Sequence, residues 1–539
     1  MSEDSNQEII FRYHSFSKHS SLRSAPGPGY LDWSSQPDPF RRYEGSRIVT
    51  LKKIPPEDKP TFSDALQGQN ISISPVSFES VSQLFFDSMA ISAWKSFQGN
   101  QWALRVNPSS GNLHPTEAYL LCGPIKDLSL GPALFHYCPK IHALEKRGQF
   151  SESTWKQLMD GLPEGAILIG VSSIYWRESW KYGLRAFRYC HHDVGHALAA
   201  INLACAGLGW QARMLDHLSR DSVQNILGLT EPHEGEEEIA DCLIAVWPTM
   251  DFPKFSKLDW QKDLAGEPDP GEPNALSGSH VDWSGITEVS HASEKPFTGD
   301  YPVYKKCSDT SSHLIADNVF PFRKAIHQRR SAVSMDGRTS ISQETFYQFM
   351  IQTVPTMAPA TFQSIPWEPQ VHLGLFVHRV DGLPSGLYCL VRNPDHLKDL
   401  QDKMNPDFHW QKPDSCPPEL ELFFLEEGDF ENHARAVSCG QDIAADGCFS
   451  LGMLSAFNDP LQKYGPWFYP RLYWECGAIG QILYLQAEVS GIRSTGIGCF
   501  FDDSMHDIFG IQDQSYQSLY HFTVGGPVED TRLTTLPAY

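Results

Sequence analysis

The chain repeats itself, and this limits what it can fold into more than any other feature. Residues 181–229, moved forward by 282 positions without a gap, fall on a segment that shares ten of their residues. Lys181, Tyr182 and Gly183 meet Lys463, Tyr464 and Gly465; Gly195 meets Gly477, Leu203 meets Leu485 and Gly209 meets Gly491. Asp221, Ser222, Ile226 and Gly228 meet Asp503, Ser504, Ile508 and Gly510. Chance would give only a few such matches. A weaker echo precedes them, "ALFHYCPKIHAL" beside "GLYCLVRNPDHL". Solenoid repeats run to roughly 20–50 residues, so a period this long implies a duplicated domain.

Each copy reads in the same order. A helix is followed by a strand ("AYLLCG"; "VHLGLFVHRV"), a hairpin-like aromatic segment and a long apolar helix stopped by glycine. A closing strand ends each copy ("DCLIAVWP"; "LYHFTVGGP"). Helices and strands mix without βαβ alternation, so the expected class is α+β, with a central antiparallel-type sheet flanked by helices in each copy. The long helices, apolar nearly all round, suit a core or a dimer-like interface. The expected division is 1–250, 251–314 and 315–539, the middle part a Pro/Gly/Ser-rich linker.

Composition sets the class of partner. With 539 residues and a net charge of −22, the chain is long enough for several domains and unsuited to nucleic acid or an anionic membrane. The acidic run 231–241 reads as a solvated loop. The twelve cysteines are scattered, as buried thiols in a reducing compartment would be. The first twenty residues lack the apolar core of a signal peptide. No stretch approaches the roughly 20 apolar residues of a membrane span, so a cytoplasmic location is expected.

The chemistry lies where the copies differ. The second copy has Arg329, Arg330 and Ser331 at the end of a helical turn, a donor set suited to phosphate because guanidinium is planar and multidentate. It also has Thr495, Gly496, Ile497 and Gly498, where small residues let backbone N–H groups approach a flat ligand, and Arg532 after a Gly-Gly strand end. In the first copy Thr495, Gly496 and Gly498 become Arg213, Met214 and Asp216. That copy has instead the loop Pro108-Ser109-Ser110-Gly111-Asn112, where the second reads "PTMAPATFQSIP". Complementary deficits imply one composite site.

These segments resemble the nitroreductase superfamily of flavin enzymes, and within it the SagB-type dehydrogenase branch that includes azoline oxidases. The resemblance rests on "YHSFSKHS", "LDWSSQPDPFRRY", "RVNPSSGNLHPTEAYLL" and "WKYGLRAFRYCHHDVGHALAAINLACAGLGW" in the first copy, and on "QRRSAV" and "RSTGIG…GGPVEDTRL" in the second. It implies a fused form of the family's homodimer, a monomer binding FMN between its halves. The cofactor residues it implies are Arg329, Arg330, Ser331, Thr495, Gly496, Ile497, Gly498 and Arg532 from copy two, with Pro108, Ser109, Ser110, Gly111 and Asn112 from copy one. A basic residue common two places after the serine is replaced by Val333, and Arg105 could compensate.

The resemblance also implies a catalytic Lys181-Tyr182 pair acting on substrate protons while the flavin takes hydride. Its recurrence as Lys463-Tyr464 leaves a packing role open. The substrate expected is a small molecule or modified peptide. The alternatives are a nitro- or quinone-reducing enzyme fed by NAD(P)H, and a non-catalytic flavin-binding scaffold in a biosynthetic complex; flavin cleavage is a third. His192 and His196, four apart on a helix, lack a third ligand in sequence and read as core residues, with no metal expected. The aromatic stretch 464–474 reads equally as core or substrate wall.

Overall fold

The computed structural model describes residues 5–229, 233–249, 266–298 and 312–539. Helix α1 (Asn6–Phe16) is fixed at its start by Ser5, which accepts from Glu8 N while Glu8 accepts from Ser5 N. The hairpin β1 (Ile91–Phe97) and β2 (Asn100–Arg105) leads into the serine loop. The first copy then lays down β3 (Thr116–Cys122), β4 (Ala133–Cys138), β5 (Ala143–Gln149), β6 (Ile167–Ile174), β7 (Gln211–Met214) and β8 (Glu238–Trp247). Helices α2 (Tyr175–Tyr182) and α3 (Ala186–Leu208) connect β6 to β7. Strands β3 and β6 are buried along their whole length, as their short, largely apolar runs predict.

The second copy repeats this plan. It contains β9 (Val371–Val377), β10 (Gly386–Leu390), β11 (Leu422–Glu427), β12 (Phe449–Ala456), β13 (Arg493–Ile497) and β14 (Tyr516–Gly525). The strands run β5-β4-β3-β6-β8-β7 in one sheet and β11-β10-β9-β12-β14-β13 in the other, the same order, with neighbours antiparallel. The class is α+β, twice over.

Further along the chain come α4 (Ser284–Ala292), α5 (Phe322–Gln328), α6 (Pro359–Phe362) and α7 (Tyr469–Val489), the last packed on β13 and β14 of the second sheet. The two copies meet through α3 and α7, and the repeat explains how. A Cβ on Gly195 would stand 2.8 Å from Gly477 Cα, and one on Gly477 equally close to Gly195 Cα. The glycines matched by the 282-residue shift touch each other at the helix crossing. Each copy also reaches over its neighbour. From α1, His14 meets Tyr469 and Gln517, and Asp502 accepts from both Arg185 and Arg188. In return, β15 (Thr534–Leu536) adds to β1.

Two expectations change. The acidic run is not all solvated loop: Glu236 and Glu238 are buried, with Arg41 beside them. Glu236 accepts from Leu276 N and Ser277 N, and Glu238 from Tyr119 and Ser172. Desolvation is met there by donors distant in sequence. Residues 266–298 are likewise more than a linker. Glu267–Pro268 pairs with β5, and α4 buries Ile286, Val289 and Ala292. The rest of the expected linker from 251 lies largely outside the described residues. The aromatic stretch resolves towards core, with Phe468, Tyr469, Tyr473 and Trp474 buried.

Candidate functional site

A cavity of about 350 Å³ opens between the copies, within the usual range for ligand pockets of roughly 300–1,000 Å³. Its first wall is the loop after β2: Pro108, Ser109, Ser110, Gly111 and Asn112 all line it. Gly111 and Asn112 take positive φ (64° and 56°), which turns the loop sharply. Ser109 Oγ accepts from His114 N at 2.8 Å, closing the turn.

Two buried carboxyls back this loop. Glu178 on α2 accepts from Ser109 Oγ at 3.3 Å, and Asp193 on α3 accepts from Ser110 N at 3.4 Å. Burial pushes the Asp193 carboxyl up to about 8. Burial, and then the Asp193 charge, raise Glu178 well above the carboxylate range. Asp193 itself lines the cavity.

The opposite wall carries arginines together with two carboxylates, Glu529 and Asp530. Arg329, Arg330 and Ser331 line it, joined by Arg493 and Lys95. Arg329 Nη2 donates to Arg105 O across the copies, and its guanidinium lies 4.9 Å from the Tyr484 ring centre. Its Nε and Nη1 are buried without an acceptor among the described residues. Burial, and next Arg329, bring Arg330 down to about 10. The Tyr484 hydroxyl organises the floor: it accepts from Ser331 Oγ and from Gly496 N, both at 3.0 Å. Thr495 and Gly496, on β13, complete that floor.

The other expected residues stand elsewhere. Ile497 packs into an apolar cluster with Phe376 and Met505. The Gly498 carbonyl accepts from Arg185 and Tyr189, and the Tyr189 ring occupies the space a Cβ would need. Arg532 is exposed and paired with Asp530, which removes it from the cavity. Lys181 and Tyr182 do not line the cavity; they lie behind its wall, where a Cβ on Gly111 would meet Tyr182 Oη at 2.7 Å and Lys181 Nζ at 3.0 Å. Arg105 does line it, as does Val333. His192 stacks on Tyr520 and contacts Leu519 O, while His196 lines the cavity.

Sequence reading missed Lys95, Asp193, Tyr484 and Arg493. Arg493 stands within the quoted "RSTGIG" and Tyr484 opposite Asn202 in the repeat, so both carried a signal; Lys95, on a hairpin brought in from the other copy, carried none.

The repeat-related position is filled by protein. Asn202, counterpart of Tyr484, donates to Thr361 O at 2.8 Å. Met214 N, counterpart of Gly496 N, donates to Ser364 O at 3.0 Å, and Gln363 bonds Ala212 N and Asn202 O. The α6 segment stands where the serine loop stands at the other site.

Fold and site define a class of protein: a chain of two nitroreductase-like copies with a cavity between them. The nitroreductase family matches residues 74–246 and 326–526, most of the chain, and the protein belongs to that family. A protein of Methanocaldococcus jannaschii named as a nitroreductase is 23% identical over 164 residues, 29% of this chain and 77% of its own. A solved structure of an Anabaena variabilis protein, also named as a nitroreductase, superposes with a TM-score of 0.69 at 20% identity, covering 96% of this chain and 99% of its own. A chain of the Escherichia coli microcin synthetase McbBCD complex with truncated pro-MccB17 bound covers 46% of this chain and 94% of its own, at 17% identity and a TM-score of 0.28.

Proposed function

We propose that the protein is an FMN-dependent oxidoreductase with one flavin site per chain, a SagB-type dehydrogenase acting on a small-molecule or peptide-derived substrate. The observation that carries this reading is the convergence of residues 108–112 from one copy with Arg329–Ser331 and Thr495–Gly496 from the other on a single cavity. The residues fit the cofactor. Arg329 keeps two buried N–H-bearing nitrogens without acceptors among the described residues, and Arg330 and Lys95 add charge beside it, a set suited to phosphate; Arg493 is paired with Glu529. The serine loop and Thr495–Gly496 provide small-residue surfaces suited to a flat ring. When bound, the flavin supplies a hydride acceptor.

The chain's own residues bind and orient. Arg329 and Arg330 hold the anionic end. Tyr484 fixes Ser331 and the Gly496 amide together. Glu178 and Asp193 keep the serine loop in place. Lys181 and Tyr182 brace Gly111 from behind, so the proton the substrate gives up would reach them past the serine loop.

One observation favours a second reading. Lys463 and Tyr464 repeat the pair, with Lys463 Nζ 4.8 Å from the Tyr464 ring centre, in the half whose matching pocket is filled. A motif kept for packing fits an NAD(P)H-fed nitro or quinone reductase. The purified chain decides. It is expected to be yellow, to resist bleaching by NAD(P)H and to bleach with its substrate; NAD(P)H bleaching assigns the reductase. Arg330→Ala and Ser110→Leu should each weaken FMN binding about 10- to 100-fold, the loss expected when a hydrogen bond to a charged group or its wall is removed. Full flavin content in an Arg329→Ala/Arg330→Ala double variant would refute the clamp.

A further inference from the structure

Eight of the described cysteines are buried; Cys416, Cys439 and Cys499 are not. Cys499 is exposed and Cys439 half-buried, and their sulfurs lie 2.7 Å apart although sixty residues separate them in sequence. Cys439 follows the helix Glu431–Val437 and adopts φ +56°, a left-handed conformation that usually falls to glycine. The turn carrying it is already tied to the segment carrying Cys499: Phe501 N donates to Val437 O at 2.7 Å, and Gln441 Nε2 to Cys499 O at 3.0 Å. These two hydrogen bonds hold the segments that carry the thiols side by side.

They differ in character. The contact with Cys439, aided by Arg185, brings Cys499 down to about 7, while the Cys439 thiol is raised. An accessible, low-pKa thiol beside a second cysteine is the arrangement of a redox-responsive pair, one sulfur attacking and the other resolving.

We propose that Cys439 and Cys499 form a dithiol–disulfide couple that exchanges with a small-molecule disulfide of the glutathione class. The Cys499 thiolate attacks one sulfur of oxidised glutathione; an S–S bond forms to the protein and glutathione leaves as its thiolate. Cys439 then loses its proton and attacks Cys499 Sγ, expelling the second glutathione. Two electrons pass from the protein dithiol to one glutathione disulfide, giving two glutathione thiols and a Cys439–Cys499 bond. The bond would pin the Thr495–Gly498 strand end, part of which floors the cavity, to the helix Glu431–Val437. The inference does not depend on the flavin reading.

The test uses the intact chain, equilibrated in graded ratios of reduced to oxidised glutathione, acid-quenched, alkylated and mapped by mass spectrometry. Both thiols should disappear together from the alkylatable set, with recovery of a linked Cys439–Cys499 peptide that reduction abolishes. In Cys439→Ser, Cys499 should stop at the glutathione adduct; Cys439→Ala serves equally should the serine variant misfold. Two independently alkylated thiols under oxidising ratios would overturn the proposal, as would a wild-type chain that accumulates the Cys499 adduct without cross-linking.

Discussion

Asp193 and Glu178 are held in the fold by geometry that disfavours their charge. Each reaches a serine of the 108–112 loop, and each is buried. The Asp193 carboxyl keeps its proton up to about 8 in the folded chain, whereas an unfolded Asp releases it near 3.9. Between those values the folded state binds more protons, so stability falls as pH rises and that contribution is gone above the folded value. The melting temperature should therefore drop from about pH 5 towards about pH 9, by at most about 1.4 kcal/mol of stability per unit for each proton involved. Asp193→Asn should flatten the fall, leaving the part due to Glu178; an unchanged slope would show that Asp193 ionises freely. The loop these carboxyls support was legible in sequence because five small or polar residues stood between a strand and an arginine. The carboxyls were not, since a single Asp among the apolar residues of α3 gives no sign of what it faces. Arg532 shows the converse: its order in the chain suggested a phosphate ligand, but Asp530, two residues away, neutralises it at the surface.

At the scale of elements, α3 and α7 hold the two copies together where they touch at glycine. Gly195→Ala would place a methyl 2.8 Å from Gly477 Cα and against the Trp474 carbonyl, where backbone must move. It should destabilise the chain by about 1–3 kcal/mol, the usual cost of overpacking, measured by urea unfolding. A neutral effect would mean that the helices can part at no cost. The Asp502 carboxylate is a second inter-copy tie, accepting from Arg185 and Arg188 in a buried setting. Asp502→Ala leaves two buried guanidiniums without their anion and should cost about 3–5 kcal/mol in the same assay. The helices and closing strands were legible because their apolar runs are long and the repeat shows them twice. Buried carboxylates such as Glu236 and Glu238 were not, because the donors that satisfy them come from Leu276, Ser277, Tyr119 and Ser172.

The whole molecule is two copies of one fold that have diverged at their shared boundary. One boundary position has a cavity with an arginine wall and a serine loop; the other is closed by residues 361–364 against Asn202 and Met214. The order of the motifs made the composite site legible. The filling of its twin was not, because "PTMAPATFQSIP" shows only that the serine loop is missing, and not what its carbonyls bond to. The most direct test is titration of the FMN-free full-length chain with FMN, reading bound flavin per chain at saturation by fluorescence quenching. One flavin per chain is expected; two per chain, or none, would overturn the single composite site.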